Sequence, residues 1–554
     1  MNRRDLLRLS IIGGGLAWTQ RRPLFAGPLA RPFDDLPPSP TTTPFVTPLP
    51  APPVLTPVAP FAAPDVTFPP QAVNAPTYYK IISEERFVSL HPELPPTRMW
   101  GYRDANVANW PYAVGPTIVA RAEHPIVVRH ENQLPANHVG FGVPEETVHF
   151  HGGHMEARSD GFPESLPGYT TVFGPGEHYD YGYAMLDPGF SHGAPDASDR
   201  PSTLWYHDHL LDFTAQNVYR GLVGLFLFQD ELDTLDETTG LRLPSGEFDV
   251  PLAFQDKRLD DQGQLAYDVF DHNGFLGDKW LVNGAIQPYL NVKRRKYRFR
   301  LLNGCNARFL GLRLVRQGGS IEPFDLIATE GGLLSAPLRN RNLAFLSPAQ
   351  REDIVVDFAR YPAGTVLFFE NRLRQDDGRG PSGTFDQPEL LNRGPRFLKI
   401  VVGADAPDPS VVPNVLRPFT AITQAEINAA TRRTFEFKRR NGVWVINGQA
   451  VDLTQPMATV QENAPEIWRL KNGSGGWWHP IHIHLEFMHV LKRNGQVPPP
   501  DERDGIAKRD VITLGPNDEV EVFLKFRDFR GRWVMHCHTI EHEDAFMMMR
   551  FDVV

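Results

Sequence analysis

The amino-acid sequence predicts an all-β protein of three β-sandwich domains, and three observations carry that prediction. A short pattern recurs along the chain. Gly115-Pro116-Thr117-Ile118 leads into Ile126-Val127-Val128-Arg129-His130-Glu131-Asn132, and Asn283-Gly284 leads into Tyr297-Arg298-Phe299-Arg300-Leu301-Leu302-Asn303. Asn447-Gly448 in turn leads into Ile467-Trp468-Arg469-Leu470-Lys471-Asn472. The closing Arg-x-x-Asn returns at intervals of about 170 residues, and self-similarity at a fixed period marks a repeated structural unit. The apolar runs are short, rich in Val, Ile, Phe and Leu, and broken by Gly, Pro and Asn, which are strand signals. Long helical periodicity is nearly absent apart from short segments such as Gln424 to Arg432. Antiparallel β-sandwiches fit this pattern.

Each part of the chain has a reason for its assignment. At 554 residues the chain is too long for one core and divides into three or four units. Residues 1–31 open with Asn2-Arg3-Arg4-Asp5-Leu6-Leu7-Arg8 and an apolar stretch from Leu9 to Trp18, a twin arginine that resembles an export signal. Such a signal implies a periplasmic or extracellular protein that crosses the membrane already folded. Residues 32–76 are dominated by Pro, Thr and Ala, which fill neither a helix nor a central strand, so they read as a linker or a strap over the surface. The three β units are placed at 77–240, 241–405 and 420–554, with Ala406-Pro407-Asp408-Pro409 and Val412-Pro413 marking a second linker at 406–419. A composition of 41% hydrophobic and 22% charged residues with net charge -10 describes an ordinary globular protein and gives no basis for a nucleic-acid partner. No apolar run reaches the roughly 18 residues needed to span a bilayer. Two cysteines, Cys305 and Cys537, exclude a disulfide framework. Cys305 reads as a small buried hydrophobe.

The chemistry concentrates in histidine. Ten of 19 histidines fall in four clusters: His149-Phe150-His151, His207-Asp208-His209, His479-Pro480-Ile481-His482-Ile483-His484, and His536-Cys537-His538 with His542. Residues i and i+2 of a strand share a face, so each His-x-His presents two imidazoles side by side. Four such pairs supply eight nitrogens, enough for a cluster of three copper ions, and imidazole suits copper. A lone His-x-His is weak evidence, but two pairs in the first repeat and two in the third are not compositional noise. The same parity turns Cys537 away from His536 and His538, and places His479 out of phase with His482 and His484. Cys537, His479, His542 and Met547 form the Cys, two His and Met set of a blue-copper electron-transfer site. Only the peptide bonds flanking Cys537 separate the two sites.

These motifs resemble those of the multicopper oxidases, closest to bacterial spore-coat laccases and bilirubin oxidases, from about Leu94-Pro95-Pro96-Thr97-Arg98 to the C-terminus. The resemblance implies cupredoxin-like Greek-key domains and four copper ions: one type 1, one type 2 and a type 3 pair. It implies Cys537, His479, His542 and Met547 at type 1 and His149 and His482 at type 2. The type 3 pair would then take His151, His207, His209, His484, His536 and His538. Where the third repeat has its histidines, the second has Asn306-Ala307-Arg308-Phe309, so the middle domain is expected to be copper-free and structural. Asp160 and Glu543 match acids tied to proton delivery in the spore-coat laccases; the plainer reading is a hydrogen bond that orients a ligand histidine.

The activity so implied is the one-electron oxidation of phenols, aromatic amines or bilirubin-like compounds, coupled to four-electron reduction of dioxygen to water. The reductant is expected to dock near an exposed imidazole of His479. Trp477, two residues before it, matches a tryptophan of bilirubin oxidases; ordinary packing explains it equally well. The partners are then a small reducing substrate and dioxygen, with a monomer as the plain expectation. The alternative is a metallo-oxidase acting on Cu(I), Fe(II) or Mn(II), although ten Met in total leave no Met-rich insert. A copper-free structural relative is a further class, which the complete ligand set disfavours. His91, His124, His130, His138, His154, His178, His192, His272 and His489 read as surface or structural.

Overall fold

Side chains along the strand Pro465–Asn472 alternate as the pleat demands: Trp468, Leu470 and Asn472 are buried, while Arg469 and Lys471 face solvent. The asparagine that closes each repeat does the same work three times. Asn132 accepts from the Leu134 N–H and donates to the Pro144 carbonyl at 2.8 Å. Asn303 accepts from Cys305 N–H and donates to the Arg308 and Leu346 carbonyls, and Asn472 accepts from Ser474 N–H and donates to Trp477 and Gly515. Each ends its strand by occupying backbone groups that the ladder no longer pairs.

The computed structural model describes residues 36–554, so the twin-arginine segment lies outside the described residues. Among those described, strands are grouped into six sheets, two per sandwich: four and four strands, eight and six, then five and five. The strands of the first sandwich run from Thr77 to Gln229, those of the second from Asp249 to Asp405, and those of the third from Thr431 to Val553. Each pair of sheets closes on its own apolar core, centred on Trp100, Tyr181 and Phe226 in the first, Phe254, Phe299 and Phe369 in the second, and Trp444, Trp468 and Trp533 in the third. The fold is therefore all-β, as the sequence predicts. The sheets are mostly antiparallel, as expected, with one recurring parallel pairing that the sequence did not indicate. In every sandwich the repeat strand lies parallel to the sandwich's first strand, with Tyr78 beside Val127, Val250 beside Phe299 and Arg432 beside Ile467. In the first sandwich the chain turns back as Thr97–Asp104, antiparallel to Thr77–Val88, and passes through the other sheet as Ile118–Arg121 before the repeat strand.

Residues after Pro38 bind two sandwiches in turn. Ser39 N–H donates to Asp278 at 2.8 Å, and the Phe45 and Leu49 amides donate to Gln287 and Tyr289 of the second sandwich. Leu55 and Val58 then pair with Thr117 and Tyr78 of the first. Proline-rich sequence suits this path, because its remaining amides bond singly instead of building a ladder.

Candidate metal centres

Strand register assembles the histidines. In the first sandwich Val148–His151 is an edge strand against Thr203–Asp208, with His149 directly opposite His207. In the third, His482 is opposite His536 and Ile481 is opposite Cys537. Val148–His151 ends on its pair's second histidine, and each of the other three ligand strands ends one residue before its own. The two ligand sheets meet, and the eight imidazoles interleave. His149 stacks on His484 at 3.9 Å between ring centroids, and His151 on His482 at 3.7 Å. All eight are buried.

The nitrogens sort into sets. His149 Nε2 and His482 Nε2 are 3.3 Å apart, and His536 Nε2 is 3.2 Å from the Nε2 atoms of both His209 and His484. Two nitrogens each about 2 Å from one ion are separated by about 3 to 4 Å, so these spacings fit shared metal positions. His151, His207 and His538 form a further set of nitrogens within 4.8 Å of one another. His207 Nε2 and both nitrogens of His538 have no hydrogen-bond partner, although they are buried. Orphaned buried imidazole nitrogens that converge on one point are what a metal would satisfy.

The remote nitrogens are held from outside. Nδ1 of His149, His207 and His482 donates to the carbonyls of Asp160, Asp208 and Asp510 at 2.6, 2.7 and 2.8 Å. Carboxylates hold the set of His209, His484 and His536: Asp160 Oδ2 lies 2.6 Å from His484 Nδ1, and Glu543 lies 3.2 Å from His209 Nδ1 and 2.9 Å from His536 Nδ1. The hydrogen bonds of His149, His207, His482 and His484 fix tautomers that free Nε2 for a metal. Burial, with neighbouring imidazoles adding to it, holds His151, His207, His482 and His484 well below the usual histidine pKa, and lowers His209 and His538 to about 3. They are thus neutral and ready to ligate. Burial pushes the Glu543 carboxyl up, but the adjoining His536 and His209 outweigh it and hold the group below its ordinary range.

Behind this cluster lies a second donor set. Cys537 Sγ is 3.4 Å from His479 Nδ1 and 3.5 Å from His542 Nδ1, and the two nitrogens are 3.2 Å apart. These histidines turn the opposite nitrogen inward from His149, His207, His209, His482, His484 and His536, because Nε2 is engaged by Ser474 Oγ on His479 and by the Asn273 carbonyl on His542. Met547 is buried and tied to the set through its backbone: its N–H donates to His542 and its carbonyl accepts from Cys537 N–H at 3.1 Å. Burial raises the Cys537 thiol far above its ordinary pKa, so a metal would be needed to make it a thiolate. One expectation is corrected here. His479 is wholly buried rather than exposed, under Ser474 and the Trp444 ring at 5.3 Å.

The middle sandwich has none of the donor clusters found among the described residues, yet it reaches both centres. Its Arg351 makes a bidentate pair with Asp510 at 2.9 and 2.6 Å, with both side chains almost inaccessible. Asp510 in turn lies 3.4 Å from His151 and receives His482 through its carbonyl. Gly152, at φ +86, lets this pair approach: a Cβ there would sit 2.5 Å from Asp510 Oδ2 and 2.6 Å from Arg351 Nη2. Asn273 touches His542, and Asn306 donates to Glu541 at 2.9 Å beside the ligand turn. A purely structural middle domain is therefore too narrow a reading. Nothing in the spacing of the sequence marked Arg351 or Asn273; the Gly152-Gly153 pair after His151 was the one available sign of close approach. Of the other histidines, His91 and His130 are buried, and His154 bonds to Asp528 at 3.0 Å. Cys305 is buried and free.

A β-sandwich protein with a Cys-His-His set one peptide unit from an eight-imidazole cluster belongs to the copper-binding oxidoreductases by class. Comparison with known proteins makes the family specific. Two multicopper oxidase family models match residues 108–233 and 417–554. A laccase of Haloferax volcanii is 33% identical over 86% of this chain and 81% of its own. A bilirubin oxidase of Albifimbria verrucaria is 33% identical over 86% and 76%, and a Bacillus subtilis laccase is 31% identical over 88% and 96%. Among solved structures, the McoA multicopper oxidase of Aquifex aeolicus superposes with a TM-score of 0.72 at 26% identity, covering 91% of this chain and 99% of its own. The chain belongs to the multicopper oxidase family and is a copper-dependent oxidoreductase with oxygen as acceptor.

Proposed function

We propose that the chain is a laccase-like oxidase holding four copper ions, which couples one-electron oxidation of phenols, aromatic amines or bilirubin-like compounds to reduction of dioxygen to water. The observation that carries this reading is Cys537: its sulfur belongs to one donor set while His536 and His538, its immediate neighbours, belong to the other. Cys537, His479, His542 and Met547 would hold type 1 copper, and His149 and His482 type 2. His151, His207 and His538 would hold one type 3 ion, and His209, His484 and His536 the other. Bound there, copper supplies single-electron redox chemistry. The chain's own residues then set geometry and protons. The sulfur is separated from either neighbouring α-carbon by its own side chain and one peptide unit, about five covalent bonds, so electrons have a short bonded path between sites. Glu543, wedged between two ligand histidines, and Asp160, between His149 and His484, are placed to take up and pass on protons near reacting oxygen. Reduction of one dioxygen to two waters consumes four electrons and four protons, so two acids on one side of the cluster suit the demand.

The twin arginine supports an exported protein, and a monomer is the proposed state. Among the described residues no helix is long and apolar enough to cross a membrane. The test is turnover of a phenol, bilirubin, Fe(II), Cu(I) and Mn(II) on one copper-loaded preparation with oxygen uptake recorded. Faster turnover of the organic donors supports the proposal; efficient oxidation of the metal ions alone replaces it with the metallo-oxidase reading.

A further inference from the structure

Both imidazoles of the Cys537 site are buried, and their outward nitrogens are occupied by Ser474 and by Asn273. A donor therefore cannot touch a ligand histidine and must hand its electron to whatever covers them. Two tryptophans do. Trp444 lies with its centroid 4.1 Å from His542, and Trp477, partly exposed, is 4.8 Å from Trp444 and 5.6 Å from His542. Trp477 is thus the aromatic surface a donor meets.

Two guanidiniums frame that ring. Arg379, on a loop of the middle sandwich, sits 5.5 Å from the Trp477 centroid, and Arg439 of the third sandwich sits 5.9 Å from it and 5.2 Å from Trp444. The loop is fixed in place by the Trp478 N–H donating to the Arg379 carbonyl at 2.8 Å. Arg439 spends its donors on neutral oxygens, Asn273 Oδ1 at 2.9 Å and the Gly442 carbonyl. Among the described residues it makes no ion pair; the carboxylate whose charge reaches it is Asp271, which burial raises above its ordinary pKa. Arg379 is half exposed and only loosely paired with Asp377, at 3.6 Å. The port is aromatic and cationic, a combination that repels metal cations and attracts flat anions.

Resting on the oxidase reading above, we infer that Arg439 and Arg379 around Trp477 select aromatic donors bearing a negative substituent, of the phenolic carboxylate class. The ring stacks at Trp477 and the carboxylate pairs with Arg439, bidentate geometry being what a guanidinium offers. The phenol gives up one electron to the Cys537 site and its hydroxyl proton to water, leaving a phenoxyl radical.

The test uses copper-loaded full-length protein and three methoxyphenols carrying a carboxylate, a methyl amide or a trimethylammonium group on the same two-carbon spacer, which leaves the ring potential alike. The expected result is that kcat/KM falls from carboxylate to ammonium by about tenfold or more and that the difference shrinks with added salt. Arg439→Gln should lower kcat/KM for the carboxylate about tenfold through KM while the amide stays within about twofold, and Arg439→Lys should restore part of it. Arg379→Gln should act in the same sense and more weakly. Equal kcat/KM for the three donors, or an equal loss for all three in Arg439→Gln, overturns the inference while leaving the oxidase intact. No turnover of any donor and no thiolate-to-copper absorption in the parent protein would overturn the oxidase reading and this inference together.

Discussion

Removing Arg351 tests whether the middle sandwich builds the eight-histidine cluster or merely adjoins it. Its guanidinium makes four hydrogen bonds: two to Asp510, one to the Thr203 carbonyl at 2.9 Å and one to the Ala349 carbonyl at 3.0 Å. With both partners inaccessible, Arg351→Met leaves a buried carboxylate without a counter-charge, which costs about 3 to 5 kcal/mol. Asp510 relieves that cost by taking up a proton or by moving, and either response disturbs His151 and His482, which it touches. The Cys537 set has no contact with Asp510 and should be spared. Copper analysis and electron paramagnetic resonance on Arg351→Met are expected to show loss or distortion of the copper bound near His149 and His482, with the blue absorption retained. Asp510→Asn in the same chain should recover most of the stability, because no charge is then stranded; the coupling energy from the double-mutant cycle should exceed about 1 kcal/mol. Full copper content, an unchanged spectrum and additive stability effects would refute the reasoning.

Three further outcomes follow from single groups. Glu543→Gln keeps a partner for His209 or His536 but cannot carry a proton, so oxygen reduction should slow by about 10²-fold or more while reduction of the blue site by substrate under anaerobic conditions is unchanged, as stopped-flow absorbance would show. Burial raises the Glu146 carboxyl to about 8, with nearby Ser83 opposing and Asp208 reinforcing the shift. A carboxyl raised in the folded state contributes stability below its unfolded pKa and loses it as pH climbs towards 8, so Glu146→Gln should gain thermal stability relative to the parent at pH 7.5 compared with pH 4.5; an equal offset at both values would contradict this. His130, lowered by burial to about 3, has the opposite sign: stability is complete above about 6.5 and falls away as pH drops towards 3, and His130→Phe should flatten the acid limb of a stability profile recorded on metal-free protein.

Sandwich number and the grouping of histidines were legible because both are written in local spacing. The repeat asparagine survives in each copy because it closes a strand in each. The His-x-His pairs point together because they sit on or just beyond strand ends whose pleat has period two. What stayed hidden came from residues distant in sequence. Arg351 lies 159 positions from Asp510, and Asn273 lies 269 positions from His542, so no spacing rule connects them. The burial of His479 was illegible for the same reason: its cover is a serine from its own turn and a tryptophan, Trp444, from another strand. Parallel pairing of the repeat strand escaped a reading by alternation, since half-buried parallel and antiparallel strands share the same period.

Electron delivery to oxygen depends on one sulfur linking two donor sets. Cys537→Ser, loaded with copper under the same conditions as the parent and followed for absorbance, copper content and oxygen uptake together, tests it most directly. Loss of the blue band and of one copper per chain, with oxygen uptake falling to background while the eight-histidine cluster keeps its metal, is the predicted result. Sustained oxygen uptake with an organic donor in that variant would contradict it.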